Sequence, residues 1–468
     1  MGMSMGGFFV GLTRGAFVLG IAFAAAVAAP GSGKADSLRQ AMSDAYVNSA
    51  LLEQNRFLLR IDDEGVAQAV ARLRPTLSFV ASANRDLVAD TTTATASLVA
   101  EWVLYAGNSR RLAIEAARET VLAARQGLVD VEQQVLRDAV TAYLNVWRDL
   151  QVVNVREANV RVVTQQLRAA RDRFEVGEDT RTDVAQAEAR LAQARSALAA
   201  ARGQLEISRE LFALAVGRHP GALAGLGAIP GLPRSEAEAD GLARQNAPSI
   251  LRLQHEVTAA ELAVQGARAS YRPTITLDGR ATNTFESPFP GGEGEGASIG
   301  LTLTQPIYRG GQLASLERQA LAQLGAVRAS LNQQTLVNVQ IMGNAWAQMR
   351  IANAQIQAAD QQISAAELAF EGVREEASLG ARTTLDVLDA EQDVLDARIS
   401  RIEAQTNLYS AAYAILAAGG LLTVERLGLD VPGYDPAAYS DLVSGAPARV
   451  RSAQGDQLDR IMERVGRD

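Results

Sequence analysis

Two long parts of the chain carry apolar residues at steps of three and four, which is the spacing of one continuous helix face. In the first part the series includes Leu136, Val140 and Tyr143. All 13 prolines lie outside residues 76–219 and 307–431, so no proline interrupts a helix within these windows. The pattern predicts long helices with coiled-coil-like packing. An ordinary buried helix face is the alternative that it leaves open.

The helices predicted from these windows are too long for one compact domain. Residues Arg111 to Val176 would rise about 99 Å as a single helix, at about 1.5 Å per residue. The return helix, Arg181 to Gly217, covers only about 55 Å, and the next helical stretch, Ala247 to Ser270, adds about 36 Å. We therefore expect these two shorter helices to stack end to end beside the long one. The second half of the chain repeats the scheme, with Gln312 to Leu379 as the long helix and Thr384 to Ala418 as the return helix. The N-terminal helix, Ser37 to Arg72, is expected to stack on this return helix.

Before each long helix, polar and apolar residues alternate with a period of two, which predicts a pair of strands. Residues 76–83, 93–104, 274–283 and 299–304 each present one apolar face and one polar or small face. Strands of about 9 to 11 residues with this alternation suit a transmembrane barrel whose apolar face meets lipid. A soluble sheet, half-buried against helices, is the alternative.

Aromatic residues cluster at the ends of the predicted strands: Trp102, Tyr105, Tyr271 and Tyr308. Trp and Tyr are enriched at membrane–water interfaces because their rings combine an apolar body with a polar tip. These four residues therefore favour the membrane interpretation, in which they form an aromatic girdle.

The strand pair and the long helical hairpin occur twice. Tyr105 returns as Tyr308 and Gly177 as Gly380, both at an offset of 203 residues. A constant offset across the hairpin means that neither copy has gained or lost a net residue, as expected for a duplicated structural unit.

These features divide the chain into five segments. They are a signal peptide (1–35), a first structural repeat (36–217), an equatorial linker (218–245), a second structural repeat (246–427) and a partly disordered C-terminal tail (428–468).

Composition restricts the class of protein. An apolar run from Ala16 to Ala29, preceded by Arg14, is typical of a cleaved secretory signal. Removal of the whole signal segment, which contains Arg14 and Lys34, would take the net charge from −8 to −10. A negative net charge argues against nucleic acid as a partner. The chain has no cysteine, which excludes disulfides and a lipidated N-terminal cysteine. No later stretch is apolar and long enough for a transmembrane helix, so membrane contact would be made by strands.

Four strands cannot close a barrel, so other subunits must complete it. Two copies would give eight strands, whose interior side chains nearly fill, whereas three copies would give twelve and leave a lumen. An open conduit therefore favours a trimer.

Several motifs together resemble the TolC family of outer-membrane export channels, over essentially the whole mature chain. They are the two Arg-Pro-Thr strand starts at Arg74 and Arg272, the Q-P-I-Y-R-G-G segment from Gln305 to Gly311, the second hairpin tip from Leu379 to Asp389, and Tyr434 to Pro436. The missing cysteine separates the chain from the lipidated branch of that family.

The resemblance implies a mostly α-helical protein with membrane strands. Three chains would form a 12-stranded outer-membrane β-barrel, continued by an α-helical barrel in the periplasm of a Gram-negative cell. A periplasmic adaptor and an inner-membrane transporter of the RND or ABC type would dock on it, and outer-membrane lipid would surround the strands. No cofactor is implied.

The resemblance also implies a gate at the hairpin tips. Asp386 and Asp389 match the acidic pair that rings the closed periplasmic mouth, and a ring of six carboxylates would raise some of their pKa values and favour cations. Arg382 matches a position that ties the inner hairpin to its neighbour, with Asp183 as a plausible acceptor. Because the tyrosine common before the second-tip glycine is Ala377 here, the latch is expected to be weaker or differently built.

The same residues also have a structural interpretation. Thr180 with Asp183, and Thr383 with Asp386, have the spacing of capping boxes at the starts of the two return helices. An acid at a helix N-terminus is favoured by the helix dipole, and Arg382 could be an ordinary solvated side chain. The tips themselves, marked by Gly177, Gly380, Thr180 and Thr383, are the expected docking points for the adaptor.

The sequence argues against an enzyme. Gly296 to Gly300 matches G-x-S-x-G, but it leads into an alternating strand and not through a strand, turn and helix. His219 and His255 are the only histidines and have no acidic or thiol cluster in sequence, so we expect neither catalytic residues nor a metal site. The acidic, Gly-rich segment 287–296 suits an exposed extracellular turn.

Two functions remain in competition at this point. The first is a passive, gated exit duct for small molecules or unfolded protein, powered by its partners because the chain carries no nucleotide-binding motif. The second is a non-channel scaffold or adaptor that spans the periplasm. The duplication, the paired strands and the missing anchor favour the duct.

Overall fold

The computed structural model describes residues 35–88, 90–286, 292–447 and 453–465. The predicted signal segment before residue 35, and residues 287–291 of the predicted extracellular turn, lie outside the described residues. The elements are α1 (Leu38–Asn48), α2 (Ala50–Ala71), β1 (Thr76–Asp86), β2 (Thr91–Ala106), α3 (Ser109–Glu175), α4 (Arg181–Val216), α5 (Glu236–Asn246), α6 (Pro248–Ala269), β3 (Thr274–Glu286), β4 (Gly294–Thr304), α7 (Gln312–Ser378), α8 (Thr384–Ala418), α9 (Val424–Leu427), α10 (Ala438–Val443) and α11 (Ala453–Val465).

The four strands form one antiparallel sheet in the order β1-β2-β3-β4. The register joins Leu77 to Ala100, Ala100 to Gly279 and Gly279 to Ile299. Because alternate side chains share a face, this row and its second neighbours form one surface. That surface is apolar and mostly exposed, with Leu77, Phe79, Ala81, Ala96, Leu98, Trp102, Leu277, Ala281, Ile299, Leu301 and Leu303.

The opposite face of the sheet is polar. Thr76, Glu101 and Asp278 form one row, and Ser298 lies opposite Arg280 in the next. The alternation predicted from the sequence is confirmed, although β2 and β3, at 16 and 13 residues, are longer than expected. Within the described residues β1 and β4 pair along one side only, so the sheet has two free edges.

A bulge at the foot of β2 changes which face Tyr105 occupies. Val103 pairs with Thr276, but the next partner of β3, Ile275, pairs with Tyr105, so Leu104 is the extra residue. If the strand alternated regularly through this point, with no bulge, Tyr105 would lie on the same polar face as Val103. The bulge instead places Tyr105 in a row with Ile275 and Leu303 on the apolar face.

The two helical hairpins confirm the duplication. The long helices α3 and α7 each contain 67 residues, and the return helices α4 and α8 contain 36 and 35. Each tip turns at a glycine with a positive φ, Gly177 at 82° and Gly380 at 77°, a conformation that glycine adopts without steric cost. None of the helices within the described ranges combines the length and the apolar character of a membrane-spanning helix.

The short helices stack in a different order from the one predicted. The end of α4 meets the α1–α2 junction, where the Asn48 side-chain amide donates to the carbonyl of Val216 at 3.0 Å. The end of α8 meets the start of α6, where Gly420 lies directly against the backbone carbonyl of Asn246. The predicted pairs, α4 with α6 and α8 with α2, are therefore wrong. Helical periodicity does not record which helix ends meet in space.

This stacking has a consequence for the long helices. α3 packs against α2 and α4 on one side and against α6 and α8 on the other. α7 packs against α6, α8 and the short α5. The long helix of the first repeat is thus flanked on both sides, whereas that of the second repeat forms an edge of the chain.

The main apolar core lies at mid-height, where α1, the middle of α3 and the ends of α4 and α8 converge. The buried Tyr143 donates its hydroxyl to the carbonyls of Asp36 and Ala224, which fastens the start of the described chain to the linker. Arg218 bonds the carboxylates of Asp36 and Asp44. The segment predicted as an equatorial linker, 218–245, contains most of α5.

The predicted N-terminal helix is divided at Ser49. The Ser49 side chain accepts from the backbone N–H of Leu52, so this residue ends α1 and caps α2. The break lies where the end of α4 abuts Asn48, and it lets α2 begin a new axis above α4.

The C-terminal segment folds back onto α2. The guanidinium of Arg56 stacks on the ring of Tyr434 and that of Arg60 on Tyr439, at 4.6 and 5.4 Å from the ring centroids. Next to them, Asp63 is buried, and its burial raises the pKa of its carboxyl group. Residues 434–439 thereby pack against α2 from Arg56 to Glu64.

Candidate functional site

The two hairpin tips have the same local structure. Thr180 and Thr383 each accept from the backbone N–H three residues later, and the acids there, Asp183 and Asp386, accept in return from the threonine N–H and hydroxyl. Both return helices therefore begin with complete capping boxes, as their spacing predicted.

An ion pair closes each tip, with the charges exchanged between the copies. In the first tip Arg173 contacts Asp179 at 3.0 Å. In the second, Glu376 and Arg382 occupy the corresponding positions and lie 2.8 Å apart. In both copies the pair spans six residues across the glycine turn, so it joins the end of the long helix to the loop before the return helix.

The two pairs differ in their surroundings. Arg173 also donates to the hydroxyl of Thr384 at 2.8 Å, which ties the first tip to the second within one chain. The side chains of Glu376 and Arg382 are each about half exposed, at 53% and 51%. Solvent screens an exposed pair of this kind and makes it weak, so the Arg382 guanidinium can exchange partners at little cost.

The proposed constriction residues are on one side of α8. Asp386 is engaged in its cap, and Asp389 accepts from the guanidinium of Arg190 on α4 at 2.5 Å. This contact joins the return helices of the two hairpins. It also brings a positive charge next to one of the two carboxylates expected in the pore.

The caps determine the acidity of two of these groups. Hydrogen bonds from the backbone and hydroxyl of Thr383 lower the pKa of Asp386, and bonds from the Thr180 hydroxyl and backbone lower the pKa of Asp183. The contact with Glu376 raises the pKa of Arg382. Within one chain the shift of Asp386 is thus opposite to the rise expected for a crowded ring. That expectation concerns contacts between chains and stays a prediction.

The predicted latch partners do not meet inside one chain. Arg382 bonds Glu376 on its own tip, and the Asp183 Oδ2 atom is bonded within its own cap. Whether Arg382 reaches Asp183 on a neighbouring hairpin is a question about a second copy, so the latch stays a prediction.

Sequence reasoning did not identify Arg173, Asp179, Arg190 or Glu376. The signal was present, because Arg173 and Asp179 map onto Glu376 and Arg382 at the offset of 203. Two oppositely charged pairs at equivalent positions, with their signs reversed, indicate a shared ion pair. Arg190 had no such signal, since its equivalent is Asp393 and its contact depends on how the two hairpins pack.

The strand feet bring the four predicted aromatic residues to one end of the sheet. Trp102 donates its indole N–H to the carbonyl of Leu73 at 2.9 Å. Tyr105 and Tyr271 are about 40% exposed, and Tyr308 is 85% exposed. Amphipathic rings at one end of a sheet are what an interfacial girdle requires.

The G-x-S-x-G motif and His255 lie within regular secondary structure. Gly296 to Gly300 lies inside β4, not at a turn between a strand and a helix. His255 contacts Glu119 at 2.8 Å between α6 and α3. No group of three or more potential metal ligands occurs in the described part of the chain.

A sheet with one apolar face, set on a duplicated pair of very long helical hairpins, defines the class of outer-membrane channels that extend into the periplasm. The chain belongs to the outer membrane efflux protein family, whose sequence profile matches residues 41–218 and 241–421. It is a protein of the outer membrane, and its family is one of efflux channels and not of enzymes.

Individual relatives agree with this assignment. The chain is 36% identical to the outer membrane efflux protein BepC of Brucella suis, over 90% of this chain and 93% of that protein. It is 24% identical to the outer membrane protein TolC of Escherichia coli, over 60% and 61% of the two chains. The structure of the outer membrane protein VceC from Vibrio cholerae superimposes with a TM-score of 0.72 at 22% identity, covering 82% of this chain and 96% of that one.

Proposed function

We propose that three copies of this chain form the passive exit duct of a tripartite efflux pump or a type I secretion system. The observation that carries the proposal is the sheet, with one exposed apolar face, one polar face and two free edges. Free edges within a membrane must be paired, because lipid cannot satisfy backbone N–H and C=O groups. Pairing β4 of one copy with β1 of the next, three times, gives twelve strands around a polar lumen.

The helices support the same arrangement. The open side of α7 exposes Leu336, Ile341 and Ile351, and the outer sides of α4 and α2 expose Leu214 and Ile61. Exposed apolar side chains of this number indicate a surface that another protein covers. In a ring of three chains, α7 of one copy would pack against α2 and α4 of the next.

Partners follow from this design. The relatives that match are named for efflux and for protein secretion, as in the alkaline protease secretion protein AprF and the proteases secretion protein PrtF. We infer that a periplasmic adaptor docks at the tips around Gly177 and Gly380, and that an RND or ABC transporter supplies the energy. Trp102, Tyr105, Tyr271 and Tyr308 would mark the periplasmic surface of the outer membrane.

The gate in this proposal lies at the hairpin tips. Asp386 and Asp389 would form a ring of six carboxylates, with Asp389 partly neutralised by Arg190. Arg382 would exchange its exposed contact with Glu376 for an acceptor such as Asp183 on the neighbouring copy, which holds the mouth closed. The small free energy of the exposed pair supports such an exchange.

A cysteine-accessibility experiment tests the duct directly, because the chain has no cysteine of its own. Ser298→Cys and Ile299→Cys place a thiol on opposite faces of β4 at neighbouring positions. Each variant is inserted into a planar bilayer and treated with a charged, membrane-impermeant thiol reagent. Conductance should fall in the Ser298→Cys channel and stay constant in the Ile299→Cys channel. Equal responses of the two variants would contradict a duct lined by the polar face.

A further inference from the structure

The strand feet carry a concentration of positive charge that is exceptional in this acidic chain. Residues 72–76, 101–111, 269–275 and 304–313 contain a single carboxylate, Glu101, and no lysine. The same four segments contain six arginines: Arg72, Arg74, Arg110, Arg111, Arg272 and Arg309. We call these six residues the arginine belt. The whole chain, by contrast, has a net charge of −8.

None of the six forms an ion pair with a carboxylate in the part of the chain that the structure describes. Three of them donate instead to backbone carbonyls: Arg74 to Gly445 and Ala446, Arg110 to Arg72, and Arg272 to Gly107. A carbonyl fixes the position of a guanidinium but does not neutralise its charge. Two arginines outside these segments behave differently, since Arg268 on α6 pairs with Glu317, and Arg85 at the far end of β1 pairs with Asp90.

The height of the belt indicates its ligand. It lies at the end of the sheet that carries the aromatic side chains of Trp102, Tyr271 and Tyr308, next to Ile307, which is 96% exposed. The long helices leave the sheet at this end, so in an outer-membrane protein it faces the periplasm. Phospholipid phosphates lie just beyond an aromatic girdle, and a guanidinium can donate two hydrogen bonds to one phosphate.

We propose that the arginine belt binds the phosphates of anionic phospholipids in the periplasmic leaflet. The proposal rests on the outer-membrane location of the family, not on the gate proposed above. The trimer adds one reason for it, because pairing β4 with the neighbouring β1 brings Arg309 close to Arg72 and Arg74 of the next copy. Like charges at such a seam repel unless an anion lies between them.

Native mass spectrometry of the purified trimer in mild detergent measures the binding. Phosphatidylglycerol, phosphatidylethanolamine and inorganic phosphate are titrated separately. The wild type should bind phosphatidylglycerol more tightly than phosphatidylethanolamine. Inorganic phosphate should bind less tightly than phosphatidylglycerol. An interfacial arginine contributes about 1 kcal/mol, so Arg72→Gln with Arg309→Gln should weaken binding about 25-fold.

Two further double variants make the result specific. Arg72→Lys with Arg309→Lys retains the charge and should keep most of the preference for phosphatidylglycerol. Arg161→Gln with Arg350→Gln removes the same charge from exposed positions at least about 57 Å along the helices and should change nothing. Trimer mass and helical circular dichroism, recorded for every variant, separate a lost site from a lost fold.

Three results would overturn the proposal. They are equal affinity of the wild type for the two lipids, unchanged affinity in the Arg72→Gln, Arg309→Gln trimer, and an equal response to inorganic phosphate, which would indicate a general anion site. Each can occur in a trimer that still conducts, so failure of the lipid site is distinguishable from failure of the duct.

Discussion

Single residues at the hairpin tips have a structural role in the fold and a proposed role in the gate. Asp386 caps α8 and is also proposed to line the pore, while Asp389 bonds Arg190 across the hairpins. A carboxylate held by a cap stays ionised because its pKa is lowered, so it supplies a fixed negative charge. In the proposed gate, the pore charge would therefore come from groups that the local fold already holds in place.

Replacing both Asp386 and Asp389 with Asn should weaken the preference of the channel for cations and its block by multivalent cations, because six negative charges leave the constriction. Reversal potentials in asymmetric salt across a planar bilayer measure the preference. Glu210→Gln, at an exposed acid of α4 about 43 Å along the helix from its start at the tip, is the control and should change little. Unchanged selectivity in the double variant would place both acids outside the pore.

Replacing Arg382 with Ser should raise the conductance of isolated trimers. A charge-assisted hydrogen bond is stronger than a neutral one, and the loss of three symmetry-related copies together would shift a closed resting state. Arg181→Ser removes an exposed arginine from the first tip and should leave conductance unchanged. If the Arg382 variant is folded and trimeric yet conducts like the wild type, Arg382 only closes its own turn with Glu376.

Asp63 predicts a pH dependence of stability. Burial raises the pKa of its carboxyl group, an effect strengthened by Asp62 and Glu64 and opposed by Ser440 and Arg125. The folded state therefore favours the protonated acid, and the stability that Asp63 contributes is fully present below its ordinary pKa of 3.8 and is lost as the pH rises through the raised value.

Asp63→Asn should therefore unfold at a higher temperature than the wild type at pH 7, with the difference shrinking toward zero below about pH 4. Thermal scans by circular dichroism at the two pH values measure it. A variant that is destabilised at pH 7, or that differs from the wild type equally at both values, would show that the ionised group is well accommodated.

Among the elements, the sequence alone predicted the helices and strands in which one residue period continues over many positions. The hairpins of 67-residue helices and the alternation of the strands were confirmed, because each depends on many residues that follow one period. The stacking of α4 on α2 was not predicted, since it depends on contacts of Asn48 with Val216 and Gly217, which are far from it in sequence. The bulge at Leu104 was also missed, because one extra residue leaves the apolar pattern almost unchanged.

The candidate site was predictable in part for the same reason. The capping boxes follow from local spacing, and both were confirmed. The Arg190–Asp389 contact depends on the packing of two hairpins, and any latch depends on a second chain. Contacts of these kinds are not encoded by the spacing of residues within one helix.

The stacked helix ends make a prediction about Gly420. Its φ is +70°, and an added Cβ would lie 2.2 Å from the carbonyl oxygen of Asn246. Gly420→Ala should destabilise the protein by about 1 to 3 kcal/mol from overpacking, in addition to about 1 kcal/mol of backbone strain. Gly380→Ala, at φ +77° with open space around it, carries the strain alone. Denaturant unfolding should rank Gly420→Ala below Gly380→Ala, and the reverse order would mean that the α8–α6 junction is loose.

At the scale of the whole molecule, the described chain leaves surfaces open that the proposed ring of three copies would cover. Its sheet has two free edges, its long helix α7 is flanked on one side, and its apolar strand face is exposed. A single copy could not satisfy these surfaces in a membrane, whereas the three copies proposed above would pair every strand edge and leave a polar lumen. The aromatic residues and the arginine belt would then lie at one height around the ring.

The number of chains in a conducting particle tests this account most directly. The protein is purified in mild detergent, its mass is measured by native mass spectrometry, and the same particles are inserted into a planar bilayer. We predict a complex of three chains that forms a continuous, ion-conducting pore. A monodisperse monomer or dimer that conducts, or a trimer that carries no current in any state, would contradict a lumen shared by three copies.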